Sequence, residues 1–183
     1  KDVNAITKLV LDASKSVFPK AYEALNWLRK IARDHLKTNN SITWTTPLND
    51  SIHLVKNNLA IMRVHCEILG SVNINLGEQN DSPDVNAMVD SFAPSYVHSL
   101  DAALIKAAFH DWSRPIALIH DCLRVLPSDM SLAVERIKTG YKRIVDEDPL
   151  AKLASELETT APVPPQIEPD LLSKVDDSVY LFN

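Results

Sequence analysis

The stretch Arg114-Pro-Ile-Ala-Leu-Ile-His-Asp-Cys-Leu-Arg-Val-Leu-Pro127 sets two short apolar runs on either side of a polar pair. Ile116–Ile119 and Cys122–Leu126 are too short for helices and are fenced by Pro115 and Pro127. Both read as strands, the first as a buried one. His120 and Asp121 lie between them. Two polar groups at the junction of apolar strands are expensive to bury. A turn that presents Asp121 at a sheet edge accounts for them, and so does an Asp that only makes a β-turn.

Helical patterns surround this pair of strands. Ser128-Asp129 is expected to cap a helix from Met130 to Val145, with Leu132, Val134, Ile137, Tyr141 and Ile144 at helical spacing. Upstream, Ser95 to Phe109 reads as a helix whose apolar face includes Val97, Leu104 and Ile105. His98 and Asp101 lie three apart and share a face of it. A histidine there serves more often as a structural hydrogen-bonder than as a ligand. From Ala5 to Leu36 the apolar residues again recur at helical spacing, and Pro19 divides them into two helices meeting near Phe18–Lys20. Arg29, Lys30 and Arg33 gather toward the second helix's C-terminal side, where the dipole favours cations. An ordinary solvated face is the more common explanation of such a pattern. After Pro149, Leu150–Leu157 reads as a short helix, and Ala161-Pro-Val-Pro-Pro165 as an extended spacer. The aromatic end, Val179-Tyr-Leu-Phe-Asn183, reads as docked rather than floppy.

Two further strand pairs are legible. Ile42–Thr46 is β-branched and aromatic, ends at Pro47, and is followed by a turn at Asn49–Ser51 and a strand at Ile52–Val55. Within Asn58–Leu76, Met62, Val64, Cys66 and Ile68 alternate with Arg63, His65 and Glu67. Beyond Leu69-Gly70, Val72, Ile74 and Leu76 alternate with Ser71, Asn73 and Asn75. This is a β-hairpin with one polar face carrying Arg63, His65, Glu67, Asn73 and Asn75. Those residue types can hydrogen-bond base edges in a groove, or can simply form the wet side of a ribbon. Gly77–Pro83 reads as a loop. The fold class is α+β, mostly helical.

Composition narrows function further. The 183 residues are 45% hydrophobic, enough for a core, and no stretch approaches a membrane span. Only Gly70, Gly77 and Gly140 are present, so a Gly-rich phosphate loop cannot be built. Cys66 and Cys122 form no CxxC pair, which argues against a zinc knuckle and suits a reducing compartment. The formal charge is −5, yet residues 1–40 carry eight Lys/Arg against four Asp/Glu, and residues 146–183 two against nine. A basic head can meet an anion, and an acidic tail avoids one. The first residue is Lys1, with no signal-peptide pattern, so a processed chain or a piece of a longer product is expected.

Several segments, in order, resemble the C-terminal part of the single-subunit, bacteriophage-type DNA-directed RNA polymerases. They are Ala21-Tyr-Glu-Ala-Leu-Asn-Trp-Leu28, Trp44-Thr-Thr-Pro47, Phe92-Ala-Pro-Ser-Tyr-Val-His-Ser99 with Asp101, Ala117-Leu-Ile-His-Asp121, and Ser178-Val-Tyr-Leu-Phe-Asn183. The fourth resembles the family's catalytic motif C and the last its aromatic foot. The resemblance implies part of the fingers and palm of a right-hand polymerase fold. In that layout residues 1–40 are fingers helices and 41–90 a region with a protruding specificity-loop-like hairpin. Residues 91–150 run from fingers to palm with motif C, and 151–183 form an extended tail and foot.

The resemblance also implies roles. Asp121 becomes a catalytic Mg2+-binding carboxylate, and His120 the motif's preceding histidine. His98 lies beside the minor groove near the primer end. Arg63, His65, Asn73 and Asn75 fall on base-reading positions, and Phe182 with the Asn183 carboxylate lies near the active site. Cys122 stands where serine is usual, a position that binds no metal. The family's other catalytic aspartate and its nucleotide-binding Lys, Arg and Tyr lie upstream of this segment. One carboxylate cannot hold two metal ions. Implied partners are promoter and template DNA, nascent RNA, NTPs, and an N-terminal polymerase portion in the same chain or a separate one. No membrane is involved. The implied location is the cytoplasm of an infected bacterial host, or a mitochondrion. A family A DNA polymerase fragment and a non-catalytic helical interaction module are the alternatives.

Overall fold

A computed structural model describes residues 2–66, 72–119, 122–164 and 169–178. Helix α1 (Asp2–Val17) and helix α2 (Pro19–His35) meet at Phe18, as Pro19 dictates, with proline at the first helical position where its missing N–H costs nothing. Strands β1 (Ile42–Thr45) and β2 (Ser51–Leu54) pair antiparallel with Ile42 opposite Leu54 and Thr45 opposite Ser51. Their connection needs a left-handed residue, and Asn49 supplies it at φ 61°.

Strands β3 (Asn57–Cys66) and β4 (Val72–Pro83) form a long antiparallel ribbon. The loop expected at Gly77–Pro83 is instead strand, because the N-terminal half of β3 pairs with it: Ile61 faces Gly77, and Leu59 faces Gln79. A partner's free N–H and C=O groups outweigh the poor strand propensity of Gly, Gln, Asn and Asp. The ladder slips between Asn57 and Leu59. There the Asn58 amide donates to Ser82 Oγ at 3.0 Å and to the Pro83 carbonyl at 3.1 Å, replacing the lost backbone pairing.

Helix α3 (Val85–Phe109) begins ten residues before the expected Ser95. Asp84 caps it, accepting from the Ala87 N–H at 2.9 Å. Pro94 lies inside the helix. Asp90 and Pro94 are both exposed, so the carbonyl that Pro94 cannot bond stands on the wet side. Strands β5 (Ile116–Ile119) and β6 (Cys122–Val125) are where the apolar runs place them. The burial expected of β5 is not found: Ala117, Leu118 and Ile119 are exposed, since no third strand or helix covers that side among the described residues.

A short 3-10 turn (Pro127–Asp129) leads into helix α4 (Met130–Asp146). The expected side-chain cap is absent. Asp129 bonds no N–H of α4, because its carboxylate is taken by Arg114. Helix α5 (Pro149–Glu156) is capped by Asp148, which accepts from Ala151 N–H at 3.0 Å. Helix α6 (Pro169–Asp177) goes beyond the sequence reading. It is held to α4 by an ion pair between Lys142 and Asp176 and by Lys138 Nζ donating to the Asp176 carbonyl at 2.7 Å.

Two cores lie along α3. The larger joins Trp27, Leu28 and Ile31 of α2, Ile42 and Trp44 of β1, Met88, Phe92 and Tyr96 of α3, and Leu153 of α5. The smaller joins Ala103 and Leu104 of α3 to Ile144 of α4. There α4 approaches closely because Gly140 has no side chain: a Cβ would lie 3.2 Å from the Leu104 carbonyl oxygen and 3.3 Å from Ala108 Cβ. Gly140→Val is expected to destabilise the fold by about 2 kcal/mol through overpacking, a shift that urea unfolding would measure. An unchanged urea midpoint would mean the two helices can part freely.

Helix α1 stands apart from both cores. Val3, Ile6, Leu9, Val10 and Val17 are more than half exposed, so its apolar stripe has no cover among the described residues.

Candidate catalytic turn and nucleic-acid interface

The ribbon is the first candidate surface. Arg63 faces Asn75 and His65 faces Asn73 across β3 and β4. Residues directly opposite share a face, as do residues two apart on one strand. The register therefore puts all four positions on one side of the ribbon, the set that alternation marked as polar. Glu67 and the expected Leu69-Gly70 turn lie outside the described residues.

The second candidate is the strand pair β5–β6. Ile119 faces Cys122, and Ile116 faces Val125, so the connection consists of His120 and Asp121 alone. Both residues lie outside the described residues, as do Phe182 and Asn183. The described strand pair ends at Ile119 and Cys122, the residues that flank this polar pair in the sequence.

His98 stands exposed on α3, with Asp101 exposed one turn on. Its orientation follows from its neighbours. Ser99 is buried and accepts from Trp44 Nε1–H at 3.0 Å while donating to the Tyr96 carbonyl at 2.7 Å. Tyr96 is buried too, and its hydroxyl donates to the Pro149 carbonyl at 2.7 Å. Burial, then the Glu156 and Asp148 carboxylates, push that phenol well above its ordinary pKa, so it stays a neutral donor. With Tyr96 and Ser99 turned inward, the helix holds His98 on its wet side. Of the expected site residues, the structure groups the four ribbon positions and leaves His98 on a separate element.

Several fixing contacts went unread in the sequence. Glu156 grips β1, accepting from the Thr45 N–H at 2.9 Å and from the Thr45 hydroxyl. Lys152 donates to the Thr46 carbonyl at 2.9 Å, and Lys106 pairs with Asp50 at 2.5 Å, so the β1–β2 turn is tied to α5 and to α3. The only signal was charge on otherwise unremarkable helix faces, which does not name a partner. Arg29, Lys30 and Arg33 are exposed on α2, as a solvated basic face requires.

Known proteins define the class to which this arrangement belongs: nucleic-acid polymerases. The chain belongs to the DNA-dependent RNA polymerase family, whose family model matches residues 2–178, and within it to the single-subunit, bacteriophage type. The DNA-directed RNA polymerase of Pseudomonas phage phiKMV is 27% identical over 178 residues, covering 95% of this chain and 22% of that protein. A probable DNA-directed RNA polymerase of Gelasinospora is 26% identical over 159 residues, covering 85% of this chain and 19% of its own length. The mitochondrial DNA-directed RNA polymerase 1 of Arabidopsis thaliana is 23% identical over 194 residues, with 96% and 18% covered. The chain thus spans about a fifth of the length of these relatives. Among the described residues no helix is long and apolar enough to cross a membrane. Nor do three or more His, Cys, Asp or Glu side chains gather in one place among them.

Proposed function

We propose that this chain forms the C-terminal catalytic part of a DNA-directed RNA polymerase. It contributes to nucleotidyl transfer from NTPs to an RNA 3′ end on a DNA template. What supports the reading is a family match over nearly the whole chain in which Asp121 falls between the paired residues Ile119 and Cys122. Residues 1–40 supply fingers helices of a right-hand polymerase, residues 41–90 the hairpin, residues 91–150 the passage to the palm, and residues 151–183 the tail and foot. The rest of the polymerase, in the same or another chain, is the principal partner. Bacterial host cytoplasm is the working location, with mitochondria as the alternative.

Asp121 offers the hard carboxylate oxygen that Mg2+ prefers. A single carboxylate does not make a two-ion site, and the described residues hold no further cluster, so the other ligands come from elsewhere in the polymerase. The chemistry that Mg2+ supplies when bound is charge stabilisation at the attacking and leaving oxygens. His120 supports the turn, and His98 contacts the primer–template pair. Phe182 and Asn183 lie near the reacting end.

The face carrying Arg63, His65, Asn73 and Asn75 reads promoter bases in the major groove, where Arg suits guanine and Asn suits adenine. Exchanging Arg63 or Asn75 is expected to shift promoter preference by about tenfold, since one bidentate base contact discriminates by 1–3 kcal/mol. Transcription from a panel of single-base promoter variants measures it. An equal loss on every promoter would argue against base reading. Incorporation of dNTPs in place of NTPs by the whole polymerase would favour the family A alternative, and no incorporation at all the interaction module.

A further inference from the structure

The strands that carry the catalytic pair have little to lean on. Ala117, Leu118, Ile119, Cys122 and Arg124 are exposed, and a hairpin of four residues a side is marginal by itself. Among the described residues, the contacts that can set its direction lie at its base. Arg114 stands two residues before β5, and Asp129 four residues after β6. Arg114 Nη1 donates to Asp129 Oδ1, and Ser128 Oγ lies 3.4 Å from the same oxygen.

Asp129 is only 4% exposed. The guanidinium of Arg114 lies 6.0 Å from the Trp112 ring centroid, and Trp112 meets Phe109 of α3 edge-on at 5.3 Å. Asp111, just past α3, pairs with Arg136 of α4, which holds the Asp111 carboxyl below the usual carboxylate range. Two ion pairs therefore tie the α3–β5 connection to the start of α4. An Asp at the start of a helix ordinarily caps it. Here that carboxylate is spent on the arginine at the other side of the hairpin base.

We propose that the Arg114–Asp129 pair is a positioning device. It sets the direction in which β5–β6 presents His120 and Asp121, and hence where the Asp121 carboxylate stands. A nearly buried carboxylate with one charged partner holds that partner in one place, because losing the contact leaves a charge uncompensated. Arg114 and Asp129 need touch neither substrate nor metal. The inference rests on the reading of Asp121 as a metal-binding carboxylate.

The test uses the whole polymerase carrying Asp129→Asn, Arg114→Gln or Arg114→Lys. The first two are expected to lower the rate of nucleotide addition at saturating NTP about tenfold, since a misplacement of about 1 Å can cost on the order of a hundredfold. The Mg2+ concentration for half-maximal rate should rise. Manganese binding to the polymerase–DNA complex without NTP, read by electron paramagnetic resonance, should weaken in step. Promoter affinity should hold in all three, and thermal stability in Asp129→Asn and Arg114→Lys, whereas Arg114→Gln, which leaves the Asp129 charge without its partner, should also lose stability. Arg114→Lys, which keeps the charge, should recover most of the rate and the manganese affinity.

Rate loss in Asp129→Asn matched by equal loss of promoter affinity and thermal stability would overturn the proposal, leaving a pair that only holds the fold. An unchanged rate and unchanged manganese binding would overturn it as well. Full synthesis by Asp121→Ala would overturn the reading beneath it, a result distinguishable from either.

Discussion

Replacing Asp121 by Ala in the whole polymerase is expected to abolish RNA synthesis, by about a thousandfold or more, while promoter binding changes little. Loss of a single preorganised charge-stabilising group at a reacting oxygen already costs 10²–10³ in rate. A metal-binding carboxylate also sets where the charge sits. The two effects separate because promoter contacts are proposed to lie on the β3–β4 ribbon, on different elements from β5–β6. Single-turnover extension of a primed template, with promoter binding measured in parallel, reads both. Synthesis at an undiminished rate would remove Asp121 from the chemistry. Equal loss of synthesis and binding would mean that the substitution had disturbed the fold.

The largest effect on stability is expected at Trp44. This side chain is 1% exposed. It meets Phe92 edge-on at 5.4 Å and Tyr96 at 6.3 Å, and its indole N–H has a buried acceptor in Ser99. Trp44→Ala removes the ring and leaves a cavity between β1 and α3, which should cost about 4 kcal/mol. It also strands the Ser99 hydroxyl on its accepting side. Since domains of this size are stable by only about 5–15 kcal/mol, the variant should melt far below the parent. Ser99→Ala is the milder companion, costing about 1–3 kcal/mol for a buried N–H without an acceptor. Calorimetry of both variants would test the order. A Ser99 effect equal to that of Trp44 would place the stabilisation in the hydrogen bond and not in the packing.

What could be read from the residues alone depended on how local each signal was. Pro19 and the 3.6-residue spacing placed α1 and α2, and Pro115 with Pro127 fenced β5–β6, because those cues act within a few residues. The alternation marked Arg63 and Asn75 for one face, and the register sets the two positions opposite each other. Failures came where a distant partner decided. Polar Gly77–Pro83 is strand only because β3 is long enough to reach it. Pro94 inside α3 is a local exception, tolerated because both it and Asp90 face outward. Asp129 does not cap α4 because Arg114, fifteen residues earlier, claims its carboxylate. The exposure of β5 was illegible for a like reason, since apolar composition says that a strand wants cover but not whether the cover lies in the same segment. His120 and Asp121 read in the sequence only as two polar residues between apolar strands, and the catalytic role proposed for them came from the ordered run of resemblances.

The shared helix α3 has a mechanical side. Its 25 residues make a rod of about 37 Å, with one core clamped on its first half and the other, around Gly140, on its second. Such a rod is a lever with two bearings. A tilt of about 3° at one bearing moves the far end by about 2 Å, on the length that helical rise dictates. His98 sits between the bearings, and beyond the far end the chain passes Asp111, held by Arg136 of α4, on its way to the base of β5–β6.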